Sequence, residues 1–141
     1  MNNENVQEWL QLADDDIYSA KILNNALRKP YEIICYHCAQ AVEKYLKGYL
    51  TWQDIVPPKT HDLIFLNSLC IEQDNEFRNI KAECNFLNRY SNDIRYPHKY
   101  EVNENDVTFS ISAVEKIKYI KPILDIRNCM NYSNNNEDDE Q

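Results

Sequence analysis

The sequence predicts an all-α fold, an antiparallel up-and-down bundle of four long helices with one short helix added. Three observations lead there. The chain of 141 residues holds a single glycine, which leaves little from which to build the turns of a β fold. Apolar residues recur at three- and four-residue intervals through four long stretches. Breakers separate those stretches, chiefly Pro30, Pro57-Pro58 and Pro97.

The first helix is expected from about Asn5 to Arg28, with an apolar stripe of Trp9, Leu12, Ala13, Ile17, Ala20, Leu23 and Leu27. Asp14, Asp15 and Asp16 lie in its middle. Successive helical residues are about 100° apart, so the three carboxylates diverge and Asp16 is the one nearest the stripe. A Mg²⁺ site at this triplet would need ligands from elsewhere. Arg28-Lys29-Pro30 ends the helix and turns the chain.

The second helix, Tyr31 to Leu50, is the stretch around which the chain is organised. Ile34, Cys38, Ala41, Tyr45 and Gly48 mark a buried face, broadened by Val42, Leu46 and Tyr49. Such a helix is about 30 Å long. Its other face carries Gln40, Glu43 and Lys47, flanked by His37 and Lys44. By itself this face reads as solvated, with Glu43 and Lys47 as an i, i+4 ion pair of about 0.2–0.5 kcal/mol.

After the Pro57-Pro58 break, Thr60 is expected to cap a short third helix containing Leu63, Ile64, Leu66, Leu69 and Ile71, with Asp62 favouring its positive end. His61 would then sit at the first helical position, in a structural role. A fourth helix from about Glu76 to Asp93 presents Phe77, Ile80, Cys84, Leu87 and Tyr90, and ends before Pro97. The last runs from about Asn105 to Ile126, with Val107, Ile111, Val114, Ile117, Ile120 and Leu124 inward. Pro122 should kink it or end its regular part near Lys121. One domain, 1–127, is therefore expected, followed by an acidic tail, 128–141, too polar to order itself.

Composition narrows the function. The net charge is −8, and Glu137, Asp138, Asp139 and Glu140 supply half of it. A general polyanion binder is excluded, so any nucleic-acid contact must be a local basic site. Five cysteines, with no signal peptide and no long apolar span, point to a reduced cytoplasm without membrane contact. Cys35-x-x-Cys38 has no second pair at zinc spacing and no βαβ context, so both read as small buried residues. No P-loop or Gly-rich dinucleotide fingerprint is present, and neither a cofactor nor a metal is expected.

Three motifs combine: HCAQAVEKYLKGYL on the second helix, PPKTHDL in the loop after it, and RYP after the fourth. Together, over roughly residues 5–126, they resemble the HEPN (higher eukaryotes and prokaryotes nucleotide-binding) domain in its small stand-alone prokaryotic form. That resemblance implies a homodimer with the RYP loops near its two-fold axis. It also implies pairing with a minimal nucleotidyltransferase in a two-gene toxin–antitoxin system, and binding of nucleotide or RNA. Many members are metal-independent ribonucleases with E-x-x-x-K on the second helix and R-x(4–6)-H near the fourth. Glu43 and Lys47 fit the first part. Arg95 and His98 are the candidate catalytic pair, but they stand as R-x-x-H, so cleavage is expected to be weak or absent. His98-Lys99-Tyr100 matches the H-x-Y ending of toxin members.

The residue chemistry agrees with a phosphate ligand. Arg95 can clamp phosphate through two parallel hydrogen bonds, and His98 can move a proton near neutral pH. Tyr96 and Tyr100 can stack on a base. The binding set is thus Glu43, Lys47, Arg95, Tyr96, His98 and Tyr100, with Glu43 holding Arg95. Two other readings stand beside it: an active metal-independent endoribonuclease toxin, and a dimeric interaction module with no nucleotide site.

Overall fold

The computed structural model describes residues 3–92 and 101–139. Its regular elements are all helices: α1 (Asn3–Asn24), α2 (Tyr31–Trp52), α3 (Leu63–Gln73), a 3₁₀ segment (Asn75–Ile80), α4 (Lys81–Leu87), α5 (Arg89–Asn92), α6 (Glu104–Lys118) and α7 (Lys121–Asp139). The fold is the predicted all-α bundle. α2 is its axis, touching α1, α3, α4, α5, α6 and α7, and its largest interface is with α1. Ile34, Cys35, Cys38, Ala39, Ala41, Val42, Tyr45, Leu46 and Leu50 are wholly buried.

The α1–α2 interface is close because Gly48 has no side chain. A Cβ there would lie 3.2 Å from Trp9 Cβ and 3.4 Å from Leu10 Cδ2. The stripe of α1 that enters the core is Val6, Leu10, Ala13, Ile17 and Ala20. Two residues of the expected stripe are not in it. Leu12 is half exposed, and Leu27 is fully exposed because the helix stops at Asn24, four residues short of Arg28. Asn25 Nδ2 bonds the Lys21 carbonyl there and closes the last turn.

α2 ends in a left-handed residue. Asp54 has φ 61°, its N–H donates to the Thr51 carbonyl, and the Ile55 N–H reaches back to Leu50. This is a Schellman closure, with Ile55 packed on the core that Leu50 belongs to. α3 starts later than expected. Asp62, not Thr60, is its cap and accepts from the N–H groups of Ile64 and Phe65. Thr60 instead accepts from the Asp62 N–H, which places His61 before the helix and not at its first position.

The fourth expected helix is three pieces, yet Phe77, Ile80, Cys84, Leu87 and Tyr90 all face inward as predicted. α6 begins in a capping box between Asn103 and Asp106. The expected last helix is two helices, divided at Tyr119 and Ile120. Pro122 lies in the first turn of the second, where its missing N–H costs nothing. No Gly or Pro follows, and α7 continues to Asp139, so residues 128–139 are helical where composition alone leads to no structure. No helix among the described residues is long and apolar enough to cross a membrane.

Candidate functional site

The polar face of α2 is not solvated. Glu43 and Lys47 are 5% and 9% exposed at the side chain and form an ion pair of 3.0 Å. The i, i+4 spacing makes the pair. Neighbouring elements bury it: α1 lies across it through Trp9, whose ring centre is 5.7 Å from Lys47 Nζ. Lys47 Nζ takes Glu43 Oε2, and His61 Nδ1 bonds Glu43 Oε1 at 2.8 Å. A carboxylate accepts only, so His61 carries its proton on Nδ1 and turns Nε2 outward. His61 itself is more than half exposed. It is the residue that sequence reasoning placed wrongly: the PPKTHDL segment brings it back over α2 as a partner of Glu43.

Beyond Lys47 lies a groove of about 520 Å³ between the start of α1, the end of α2 and the loop after it. Trp9, Ile55, Val56, Pro57 and Pro58 give it apolar walls, and Asn5, Thr51, Asp54 and Lys59 complete the lining. Thr51 Oγ1 donates to the Lys47 carbonyl, so its lone pairs stay able to accept.

A second polar layer joins α1 to α2 and α7. Asp16, the carboxylate expected to meet another helix, accepts from Lys44 and is 3.1 Å from His37 Nδ1. Asp14 accepts a bidentate pair from Arg127, at 3.0 and 2.5 Å, and a 2.5 Å bond from the Tyr45 hydroxyl. Burial, then the Asp14 carboxylate, raise the Tyr45 phenol well above its ordinary range. Burial alone would lower the Arg127 guanidinium, but Asp14 and Tyr45 overcome this and raise it. Asp14 and Asp16 are thus committed to cations of the chain itself. Among the described residues no group of three or more His, Cys, Asp or Glu could hold a metal ion.

Cys35 and Cys38 are buried free thiols. Cys35 Sγ accepts from Ser110 Oγ at 3.4 Å, and burial pushes both thiols upward. Neither is set up as a nucleophile.

Arg95, Tyr96, His98 and Tyr100 lie outside the described residues, as does the expected contact of Arg95 with Glu43. The chain enters that segment from α5, where Tyr90 faces Cys35. Cys35 and Glu43 are eight residues apart on α2, about 12 Å along its axis.

The HEPN domain family model matches residues 6–124. The chain belongs to the HEPN domain family. The crystal structure of an archaeal HEPN homologue has the same fold, with a TM-score of 0.64 at 22% identity, over 87% of this chain and 95% of that one. No curated protein matches the chain. HEPN membership gives the function at a coarse level, as a nucleotide- or RNA-related one. The match runs from within α1 to the first turn of α7 and includes Glu43, Lys47 and His61.

Proposed function

We propose that this HEPN protein binds nucleotide or RNA as one half of a two-gene HEPN/nucleotidyltransferase system of the toxin–antitoxin type. It acts in the cytoplasm as a homodimer. The observation that carries the reading is the buried Glu43–Lys47 pair with His61 on its outer side. Two charges held nine-tenths out of water on the central helix add little to stability. They do fix a cation and an imidazole in place, as recognition of an anionic ligand requires. Arg95, Tyr96, His98 and Tyr100 supply the phosphate clamp and the stacking surfaces. The R-x-x-H spacing favours binding over cleavage.

Titration of wild type and Arg95→Ala with short RNA tests this. Loss of affinity with an unchanged helical spectrum is expected, and unchanged affinity would leave the interaction-module reading. Incubating RNA with the protein in chelator separates a binder from a metal-independent endoribonuclease. Co-expression with a minimal nucleotidyltransferase, followed by gel filtration, tests the partnership.

A further inference from the structure

We propose that the groove between α1 and the 54–59 loop is a mononucleotide subsite, with the base stacked on Trp9 and the phosphate on Lys47 and Lys59. The proposal rests on the nucleotide reading above but assigns the ligand to Trp9, Lys47 and Lys59 and not to Arg95. Its volume of about 520 Å³ suits a small molecule. Pro57 and Pro58 stiffen its rim, so its shape is largely set before a ligand arrives.

The lining sets two cations, Lys47 and Lys59, against one carboxylate, Asp54, and adds an aromatic wall, which together suit a planar anion. Lys47 is 9% exposed at the side chain and is one of the residues that line the groove. An ammonium has three donors, and Glu43 takes one. The others are left to meet phosphate oxygens in a site of low polarity, where each bond counts for more than in water. Lys59 adds a second, exposed cation at the rim. The Trp9 indole, half-buried and 5.7 Å from Lys47 Nζ, gives a broad π face next to that charge. Base stacking on such a face tolerates any sequence. Ile55 adds apolar surface to the lining.

The chain has two tryptophans, so Trp52→Phe leaves Trp9 as the sole emitter. In that background, titration with AMP and with UMP is expected to quench Trp9 fluorescence saturably. Trp9→Ala and Lys59→Glu should each weaken binding at least ten-fold, measured by calorimetry in the otherwise wild-type chain. Trp9→Phe should keep most of the affinity, a rescue that loss of folding would not allow. The groove assignment falls if nucleotide binds without changing Trp9 emission and Arg95→Ala abolishes that binding, and the Arg95-site reading then stands. If neither nucleotide binds at all, the groove assignment falls, and RNA titration alone then decides the broader reading.

Discussion

Removing the carboxylate of Glu43 leaves the Lys47 ammonium buried without its counter-charge. Both side chains are more than nine-tenths out of water and 3.0 Å apart. Breaking such a pair from one side costs about 3–5 kcal/mol. The His61 bond to Glu43 adds little, because His61 is more than half exposed and recovers water. Glu43→Ala should therefore lower stability by about 3–5 kcal/mol, a large share of the roughly 5–15 kcal/mol that holds a domain folded. With a urea slope of about 2 kcal/mol/M, the midpoint falls by about 2 M. Circular dichroism during urea unfolding measures it. Glu43→Leu combined with Lys47→Met removes both charges and should lie within about 1 kcal/mol of wild type. Raising salt should alter neither result, since the pair is shielded from ions. A single-variant loss under about 1 kcal/mol would refute the reasoning, as would a double variant costing the sum of the singles.

Asp14→Ala removes two bonds to Arg127 and one from Tyr45 at a half-buried site, and should cost about 1–3 kcal/mol. Hydrogen exchange should show the loss concentrated in α7. Gly48→Val drives carbon into Trp9 Cβ, which is fixed to the α1 backbone, and should cost about 1–3 kcal/mol in thermal unfolding. Gly48→Ala should cost less, because alanine's helix propensity gains about 1 kcal/mol. Alkaline pH should destabilise the fold. Burial raises Cys84 from 9.0 to about 12 and Tyr49 from 10.0 to about 12. The unfolded chain releases these protons first, so stability present below pH 9 is lost as pH rises from 9 toward 12. A urea midpoint that stays constant over that window would contradict this.

The apolar stripes were readable because burial on one side of a helix repeats locally, as Phe77, Ile80, Cys84, Leu87 and Tyr90 show even across three helical pieces. α2 was legible as the centre for the same reason. What periodicity could not give was the partner of a polar face. Glu43 and Lys47 carry a pattern equally suited to solvent, and Trp9 and His61, from distant parts of the chain, decide otherwise. Leu27 went wrong at a boundary: its spacing continues the stripe, but the helix has already ended. The cap of α3 was misplaced by two residues because Thr60 and Asp62 are both good caps, and only backbone direction selects Asp62. For the site, Glu43 and Lys47 were legible from E-x-x-x-K, whereas the groove beside them depends on how the Pro57-Pro58 loop folds back toward α1.

The two polar clusters of this bundle differ in what they leave unused. In the Asp14 cluster both carboxylate oxygens are taken by Arg127 and Tyr45, groups of the chain itself. Its work is to hold α7 against α1 and α2, and a bidentate guanidinium suits that work. In the Glu43 cluster the carboxylate is equally filled, but its partners are not. Lys47 retains donors at a groove wall, and His61 retains Nε2 on the surface. A helix that only needed to pack would be at least as stable with apolar residues at both positions. A carboxylate that aims a cation one way and an imidazole another is what a binding surface needs, and this asymmetry is the physical reason to look for the ligand at Glu43 and not at Asp14.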